Sequence, residues 1–125
     1  MKILFVTHVP NQYIKDKDPL GIMCLAASLK RGNHEVRVCS PRVSEVEEIL
    51  SEFPAEIIAY SIATAESSFY IDFNKIIKER HANIFSVFGG PHPTFYPSFI
   101  TENSSVDAMC GGEADFAFVD FANRL

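Results

Sequence analysis

The sequence predicts an α/β domain built on a doubly wound, five-stranded parallel sheet with the strand order 2-1-3-4-5. Short apolar runs rich in Val, Ile and Phe alternate with segments of helical periodicity along the whole chain. Several of these runs are apolar at consecutive positions, which is typical of parallel strands covered by helices on both faces. Most connections are only a few residues long, which favours right-handed β-α-β crossovers.

The five predicted strands end at turn-forming or polar residues. The first precedes an unusually long loop, the second follows a Gly-Asn pair, and the third follows Pro54. The fourth and the fifth each end in a Gly-Gly pair. The predicted strands cover residues 2–7, 35–39, 56–61, 84–88 and 106–110.

The first two predicted helices carry start and stop signals. Residues 19–31 place four apolar side chains on one stripe, and a Gly-Asn pair marks the end of the helix. Residues 44–53 begin with Ser44 and Glu47 in capping-box spacing and end before a proline. The stripe of the first helix consists of Ile22, Leu25, Ala26 and Leu29.

The remaining helices are assigned mainly from periodicity. Residues 67–81 are predicted to bury one apolar stripe and to expose their charged side chains. Residues 97–102 form a short helix, and a last helix begins near residue 114 and continues to the end of the chain. The stripe predicted to be buried is Phe69, Phe73, Ile76 and Ile77, and the residues predicted to be solvated are Lys75, Lys78, Glu79 and Arg80.

The composition predicts one soluble domain, residues 1–125, in a reducing cytoplasm. A net charge of −5 without a Lys/Arg cluster argues against a nucleic-acid partner. No apolar stretch approaches membrane-spanning length, and the N-terminal run is too short for a signal peptide, so no membrane partner is expected. Cys24, Cys39 and Cys110 are odd in number and lie in apolar runs, which favours buried free thiols.

The most informative segments follow the fourth and fifth strands. Residues 89–94 read Gly-Gly-Pro-His-Pro-Thr, and residues 111–113 read Gly-Gly-Glu. Because ligands of open α/β sheets bind beyond the carboxyl ends of the strands, two glycine-rich exits from consecutive strands predict one shared cleft. Glycines let the main chain approach a ligand closely. The surface is poor in charge, so it suits a bulky, largely apolar ligand better than a phosphate.

Other polar residues near this cleft have two interpretations each. Ser61 and Thr64 follow the third strand and either bind a ligand or cap the next helix, and the local sequence favours the cap. Glu113 either caps the last helix or contacts a ligand amide. His8 and His92 are interpreted as hydrogen-bonding or solvated residues rather than metal ligands, so no metal site is predicted.

The loop after the first strand excludes two other functions. It contains no Gly-x-Gly-x-x-Gly, the fingerprint of dinucleotide-binding domains, and no Walker loop. Receiver-type phosphoacceptor chemistry needs an acidic pair after the first strand and an aspartate after the third. This chain has Thr7-His8 and Tyr60-Ser61 at those ends.

Five segments together resemble a known family. Residues 19–21, 31–36, 60–64, 89–94 and 106–113 are similar, in order and spacing, to the N-terminal cobalamin-binding domain of B12-dependent radical SAM enzymes. The resemblance covers essentially the whole chain. It implies a flavodoxin-like, Rossmann-like three-layer sandwich that holds cobalamin at the carboxyl ends of its strands.

The resemblance also implies a larger parent enzyme. A following radical SAM domain of the same polypeptide would carry S-adenosylmethionine and a [4Fe-4S] cluster, and the parent would be a methyltransferase or a cyclase. The domain alone is then a non-catalytic cofactor carrier. By the same resemblance, Ser61 and Thr64 contact the nucleotide tail of cobalamin. The channel of the tail is lined by Gly89, Gly90, Gly111 and Gly112, and the residues near the corrin rim are Pro91, His92 and Glu113.

The resemblance finally implies how the cobalt is ligated. Other B12 carriers supply a lower axial histidine from Asp-x-His-x-x-Gly, whereas this chain has Asp18 at the histidine position between Asp16 and Gly21. The expectation is a displaced dimethylbenzimidazole with no histidine in its place. Two alternatives stay open: an FMN-binding flavodoxin-like domain, and an interaction domain of the same fold that binds neither cofactor.

Overall fold

A computed structural model describes residues 1–8 and 19–125 of the chain. It contains one parallel sheet with the order β2-β1-β3-β4-β5, which confirms the predicted fold class. The strands are β1 (Lys2–Val6), β2 (Glu35–Cys39), β3 (Ile57–Ser61), β4 (Phe85–Gly89) and β5 (Ala108–Met109). The long loop after β1 and the predicted replacement of an axial histidine by Asp18 lie outside the described residues.

Six helices of the described residues connect and follow these strands. They are α1 (Leu20–Arg31), α2 (Val43–Glu52), α3 (Ser67–Arg80), α4 (Pro91–Phe95), α5 (Phe99–Glu102) and α6 (Ala117–Arg124). A 3₁₀ turn, Thr64–Glu66, precedes α3. The sequence-based assignment lacks α4, whose first position is held by Pro91. A proline is tolerated there because the first helical N–H has no intrahelical partner.

The core has two layers, one on each face of the sheet. Successive strand residues alternate between the layers, so Ile57 packs on one face and Ile58 on the other. Helices α2, α3 and α5 cover the face that contains Leu4, Val6, Ile58, Tyr60 and Phe88. Helices α1 and α6 cover the face that contains Ile3, Phe5, Ile57, Ala59 and Val87. The three-layer sandwich is therefore confirmed.

The buried stripe of α3 differs from the predicted one. Phe73 and Ile77 are buried as predicted, but Phe69 is 49% exposed and Ile76 is 40% exposed. Tyr70 and Asn74 are buried in their place, so the stripe follows i, i+3, i+4 and i+7 spacing. Asn74 fits in the core because its amide nitrogen donates a 2.7 Å hydrogen bond to the Ser105 carbonyl.

Lys78 is not solvated as predicted; it anchors the start of β5. Its Nζ donates to the Ile84 carbonyl at 3.0 Å and to the Asp107 carboxylate at 2.6 Å. The same carboxylate accepts a 2.8 Å bond from the Ser86 main-chain N–H. Burial alone raises the pKa of Asp107, but the bonds from Lys78 and Ser86 outweigh it, so the pKa lies below its usual value.

Two smaller predictions are wrong. The capping box of α2 does not form, because the helix begins at Val43 and the Ser40 N–H donates instead to Glu45 at 3.1 Å. Cys24 is exposed rather than buried, whereas Cys39 is buried, Cys110 is partly buried and all three thiols are free. In the part of the chain that the structure describes, no helix is both long and apolar enough to cross a membrane.

Candidate functional site

A cavity of about 260 Å³ opens at the carboxyl edge of the sheet, on the face covered by α1 and α6. The central strands supply an apolar floor of Phe5, Ala59 and Val87. One wall comes from α1, and the other comes from the segment between β5 and α6. These walls are lined by Gly21, Cys24, Leu25, Cys110, Gly112, Glu113, Ala114, Asp115 and Phe118.

The residues predicted for the site divide between two places. Those that line the cavity are Ser61, Gly89, Gly90, Gly112 and Glu113. The others, Thr64, Pro91, His92 and Gly111, lie outside its lining. Thr64 and His92 instead contact each other, with 3.1 Å between Oγ1 and Nδ1. The imidazole also packs edge-on against Phe99 of the opposite core layer, at 5.2 Å between ring centroids.

The capping interpretations of the polar residues are wrong. Neither Ser61 nor Thr64 caps α3 through its side chain. The turn before α3 is closed by a 3.4 Å bond from the Ala63 N–H to Glu66. Glu113 does not cap α6, because that helix begins only at Ala117. A capping role therefore does not account for the position of Ser61 and Glu113 at the cavity.

Gly90 is required by the packing of β4 against the exit of β3. Its φ is +94°, and an added Cβ would lie 2.8 Å from the Ile62 main-chain nitrogen. The Ile62 N–H donates to the Gly89 carbonyl at 2.9 Å, which holds the two strand exits together. Gly89 itself is less constrained, since its Cβ would approach no atom closer than 3.6 Å. The cavity is thus walled here by main chain.

The glycines after β5 face open space. In the part of the chain that the structure describes, an added Cβ on Gly111 or Gly112 would meet no atom within 4 Å, and Gly112 has a φ of +72°. The strand before them has only two residues. Thr94 connects this exit to the previous one: its hydroxyl donates to the Gly90 carbonyl at 2.8 Å and accepts from the Gly112 N–H at 3.0 Å.

Sequence reasoning did not select two residues that matter here, Gly21 and Thr94. Gly21 lies in the first turn of α1 and lines the cavity, and a Cβ there would meet no atom of the described residues within 4 Å. Glycine is unfavourable in helices by about 1 kcal/mol relative to alanine, yet no contact with residues 1–8 or 19–125 requires it at this position. Its lack of a side chain keeps the cavity open. The sequence feature that could have indicated this position is a glycine inside a helical pattern with no local reason for it.

The cavity is apolar inside and acidic at its wall. Among the described lining residues the charged side chains are Glu113 and Asp115, and no lysine or arginine accompanies them. Burial raises the pKa of the Cys110 thiol, so this thiol stays neutral at physiological pH and the charge of the wall comes from the two carboxylates. Such a site accepts hydrogen bonds from amides and disfavours a terminal phosphate dianion.

A family model for the B12 binding domain matches residues 13–122. This chain belongs to the B12-binding domain family. Cobalamin is therefore its cofactor, as the resemblance implied. An uncharacterized methyltransferase of Pyrococcus horikoshii is 30% identical over an alignment of 136 positions, which covers 100% of this chain and 29% of that protein. The chain thus spans about 29% of the length of this curated relative.

Solved structures show the same fold at low identity. A CheY-like protein (TadZ) from Pseudomonas aeruginosa PAO1 has a TM-score of 0.75 at 11% identity and covers 98% of this chain and 91% of its own. An orphan response regulator of H. pylori has a TM-score of 0.67 at 16% identity, with coverages of 99% and 94%. These similarities concern the architecture alone.

Proposed function

We propose that this B12-binding domain holds cobalamin by its nucleotide tail in the cavity between α1 and α6. The supporting observation is a cavity at the carboxyl edge of the sheet. Glycine main chain forms part of its wall, and the packing of the described residues leaves it open. Its volume of about 260 Å³ is small for a whole cofactor, since pockets that enclose drug-sized ligands measure about 300–1,000 Å³. The cavity therefore takes one arm of the molecule, and the corrin ring stays outside.

The surroundings of the cavity suit a broad macrocycle. Phe116 is 90% exposed and lies between the lining residues Asp115 and Phe118 in the chain. Leu20 and Met23 are also exposed, and they flank Gly21 on α1. Exposed apolar side chains that neighbour the lining residues in the chain favour a large apolar ligand face. The carboxylates of Glu113 and Asp115 provide acceptors for the amide groups at the rim of a corrin.

The lower face of the cobalt is proposed to lack a histidine ligand, with the dimethylbenzimidazole displaced. His34 contacts Asn123 at 2.9 Å, and His81 contacts Glu47 at 3.0 Å. His92 is held by Thr64, and His8 stacks on Phe69 with 6.3 Å between ring centroids. The histidines of the described residues thus have partners within the fold, which supports this coordination state.

The parent protein is proposed to be a radical SAM methyltransferase, with a cyclase as the second candidate. The name of the Pyrococcus relative and its greater length support a methyltransferase with further domains. A downstream domain would then bind S-adenosylmethionine and a [4Fe-4S] cluster, while this chain binds and orients cobalamin. The polypeptide sequence after Leu125 tests this proposal. A Cys-x-x-x-Cys-x-x-Cys motif is expected there, and a full-length sequence without one contradicts it.

Cofactor choice is tested by mixing the purified chain with hydroxocobalamin or with FMN and recording absorbance after desalting. Retained corrin absorbance with no retained flavin is expected, because the described part of the cavity lining offers carboxylates and no cation to the terminal phosphate dianion of a flavin. Retained flavin would favour the flavodoxin-like alternative. Retention of neither would favour an interaction domain of the same fold.

The coordination state is tested by electron paramagnetic resonance of cob(II)alamin bound to ¹⁵N-labelled protein. The expected spectrum shows no nitrogen superhyperfine splitting, because neither dimethylbenzimidazole nor histidine ligates the cobalt. A doublet from protein ¹⁵N would reveal a histidine ligand. A triplet from cofactor ¹⁴N would show that the base remains bound.

A further inference from the structure

We propose that Thr94 is a positioning residue for the cofactor, because its hydroxyl group fixes the exit of β5 against the exit of β4. The inference rests on the proposed function, since it concerns the same cavity. Thr94 itself is exposed and lies outside the cavity lining. It acts through Gly90 and Gly112, which do line the cavity.

The hydroxyl forms a directed bridge between the two glycine-rich segments. The hydroxyl donates a hydrogen bond to the Gly90 carbonyl at 2.8 Å, and its oxygen accepts one from the Gly112 N–H at 3.0 Å. Both bonded residues have positive φ values, +94° and +72°. Thr94 therefore connects two main-chain positions that are 22 residues apart in the chain, 90 and 112.

The β5 exit needs such a connection more than the other exits do. β3 and β4 pair over five positions, from Ile57 with Phe85 to Ser61 with Gly89, whereas β4 and β5 pair over two. Beyond that short ladder, Cys110 donates to the Phe88 carbonyl at 2.9 Å, and the next link along the chain is Gly112 with Thr94. At its β5 end the wall formed by residues 112–115 is held by these two contacts, whereas at its α6 end the Phe118 N–H donates to the Ala114 carbonyl at 2.9 Å.

Loss of the Thr94 hydroxyl should therefore loosen the cavity wall that follows β5, and it removes no side chain from the hydrophobic core. A ligand that needs both walls must then order the β5 exit when it binds, and this ordering lowers its affinity. Two hydrogen bonds are removed by Thr94→Val, so we expect cobalamin affinity to fall about tenfold. Thr94→Ser keeps the hydroxyl, and its affinity should stay within about twofold of the unsubstituted chain.

The experiment measures cobalamin dissociation constants and amide hydrogen exchange for the chain and its Thr94→Val and Thr94→Ser variants. Thr101→Val is the matched control: Thr101 is also exposed, and its hydroxyl donates to the Ser98 carbonyl at 2.8 Å, within α5 and away from the cavity. In the cofactor-free protein, the Gly112 amide should exchange about tenfold faster in Thr94→Val, while Thr94→Ser and Thr101→Val leave it unchanged.

The outcomes separate this inference from the proposed function. If the unsubstituted chain binds cobalamin and Thr94→Val binds it equally well, the positioning role is wrong and the proposed function stands. Equal weakening by Thr94→Ser, or by Thr101→Val, would also contradict it, because the hydroxyl of Thr94 would then not be responsible. If the unsubstituted chain binds no cobalamin, the proposed function fails, and the inference fails with it.

Discussion

The chain contains two Gly-Gly pairs at neighbouring strand exits, and they exist for different physical reasons. Gly90 of the first pair is wedged against Ile62, so the fold itself excludes a side chain. Gly111 and Gly112 of the second pair follow a two-residue strand, and no described residue occupies the space where their side chains would be. The first pair is fixed by the packing of central strands. The second is held by a short ladder and by the hydroxyl group of Thr94.

This difference separates the residues that build the cavity from those that shape the wall between β5 and α6. Identical dipeptides therefore predict different consequences when they are mutated. Substitutions in the first pair should act mainly on the stability of the fold. Substitutions in the second pair should cost the fold less, and a substitution in α1 opposite to it should act mainly on cofactor binding.

Gly90→Ala should have the largest effect. A Cβ 2.8 Å from the Ile62 nitrogen, at a φ of +94°, cannot be relieved without moving main chain, so we expect a loss of about 3 kcal/mol or failure to fold. Urea unfolding measures it. Gly89→Ala is the control and should lose less than about 1 kcal/mol, because its Cβ makes ordinary contacts. Similar losses for both variants would contradict the distinction within the pair.

Asp107→Asn should come next, because Asp107 anchors the start of β5. Weakening its bonds with Lys78 and Ser86 should cost about 2 kcal/mol at pH 7. The folded pKa of Asp107 lies below the unfolded value of about 3.9, so the stabilisation is complete above that value. It is lost as the pH falls through the folded pKa.

The advantage of the unsubstituted chain over Asp107→Asn should therefore shrink below about pH 4. This difference is measured by urea unfolding of both proteins between about pH 3 and pH 7, a range in which carboxylates titrate. A constant difference across the range would exclude the charge of Asp107 as its source.

Gly112→Ala should lower the free energy of unfolding less than Gly90→Ala or Asp107→Asn does. It forces alanine into a left-handed conformation with a φ of +72° but creates no contact closer than 4 Å, so about 1 kcal/mol should be lost. Gly111→Ala lacks the positive φ and should change stability by less than about 0.5 kcal/mol. Thermal unfolding of both variants checks this order, and a larger loss for Gly111→Ala would reverse the account of the second pair.

Gly21→Ala should change stability only slightly, and the sign of the change should be opposite. Alanine is the better helix former and meets no atom at this position, so the cofactor-free chain should gain about 0.5 kcal/mol. The added methyl group enters the cavity, so cobalamin binding should weaken by about 1 kcal/mol. Paired thermal unfolding and binding titrations measure both effects. Unchanged affinity would show that the cofactor does not reach this wall.

Local sequence was sufficient for the sheet but not for the faces of its helices. The strands are apolar runs between turn residues, so their order and type followed from local patterns. The stripe of α3 did not, because Asn74 is buried through a bond to Ser105, 31 residues away. The role of Thr94 depends on Gly112, 18 residues further on, so no local pattern indicates it.

Only some of the predicted site residues lie together at the cavity, because their placement also depends on contacts between distant parts of the chain. Ser61 and Thr64 are close in sequence, yet Ser61 lines the cavity while Thr64 contacts His92 on the other side. Which side a residue takes depends on strand register and on the path of the following turn. Gly21 was missed because its significance lies in the empty space beside it, which only the packed structure shows.

The central claim is that the cavity between α1 and α6 binds the nucleotide tail, and cobinamide tests it most directly because it has the corrin ring without that tail. Competition titrations of the chain with cobalamin and cobinamide compare the two affinities. We predict that cobalamin binds at least about tenfold more tightly, a difference of about 1.4 kcal/mol or more. Equal affinities would show that the cavity does not hold the tail.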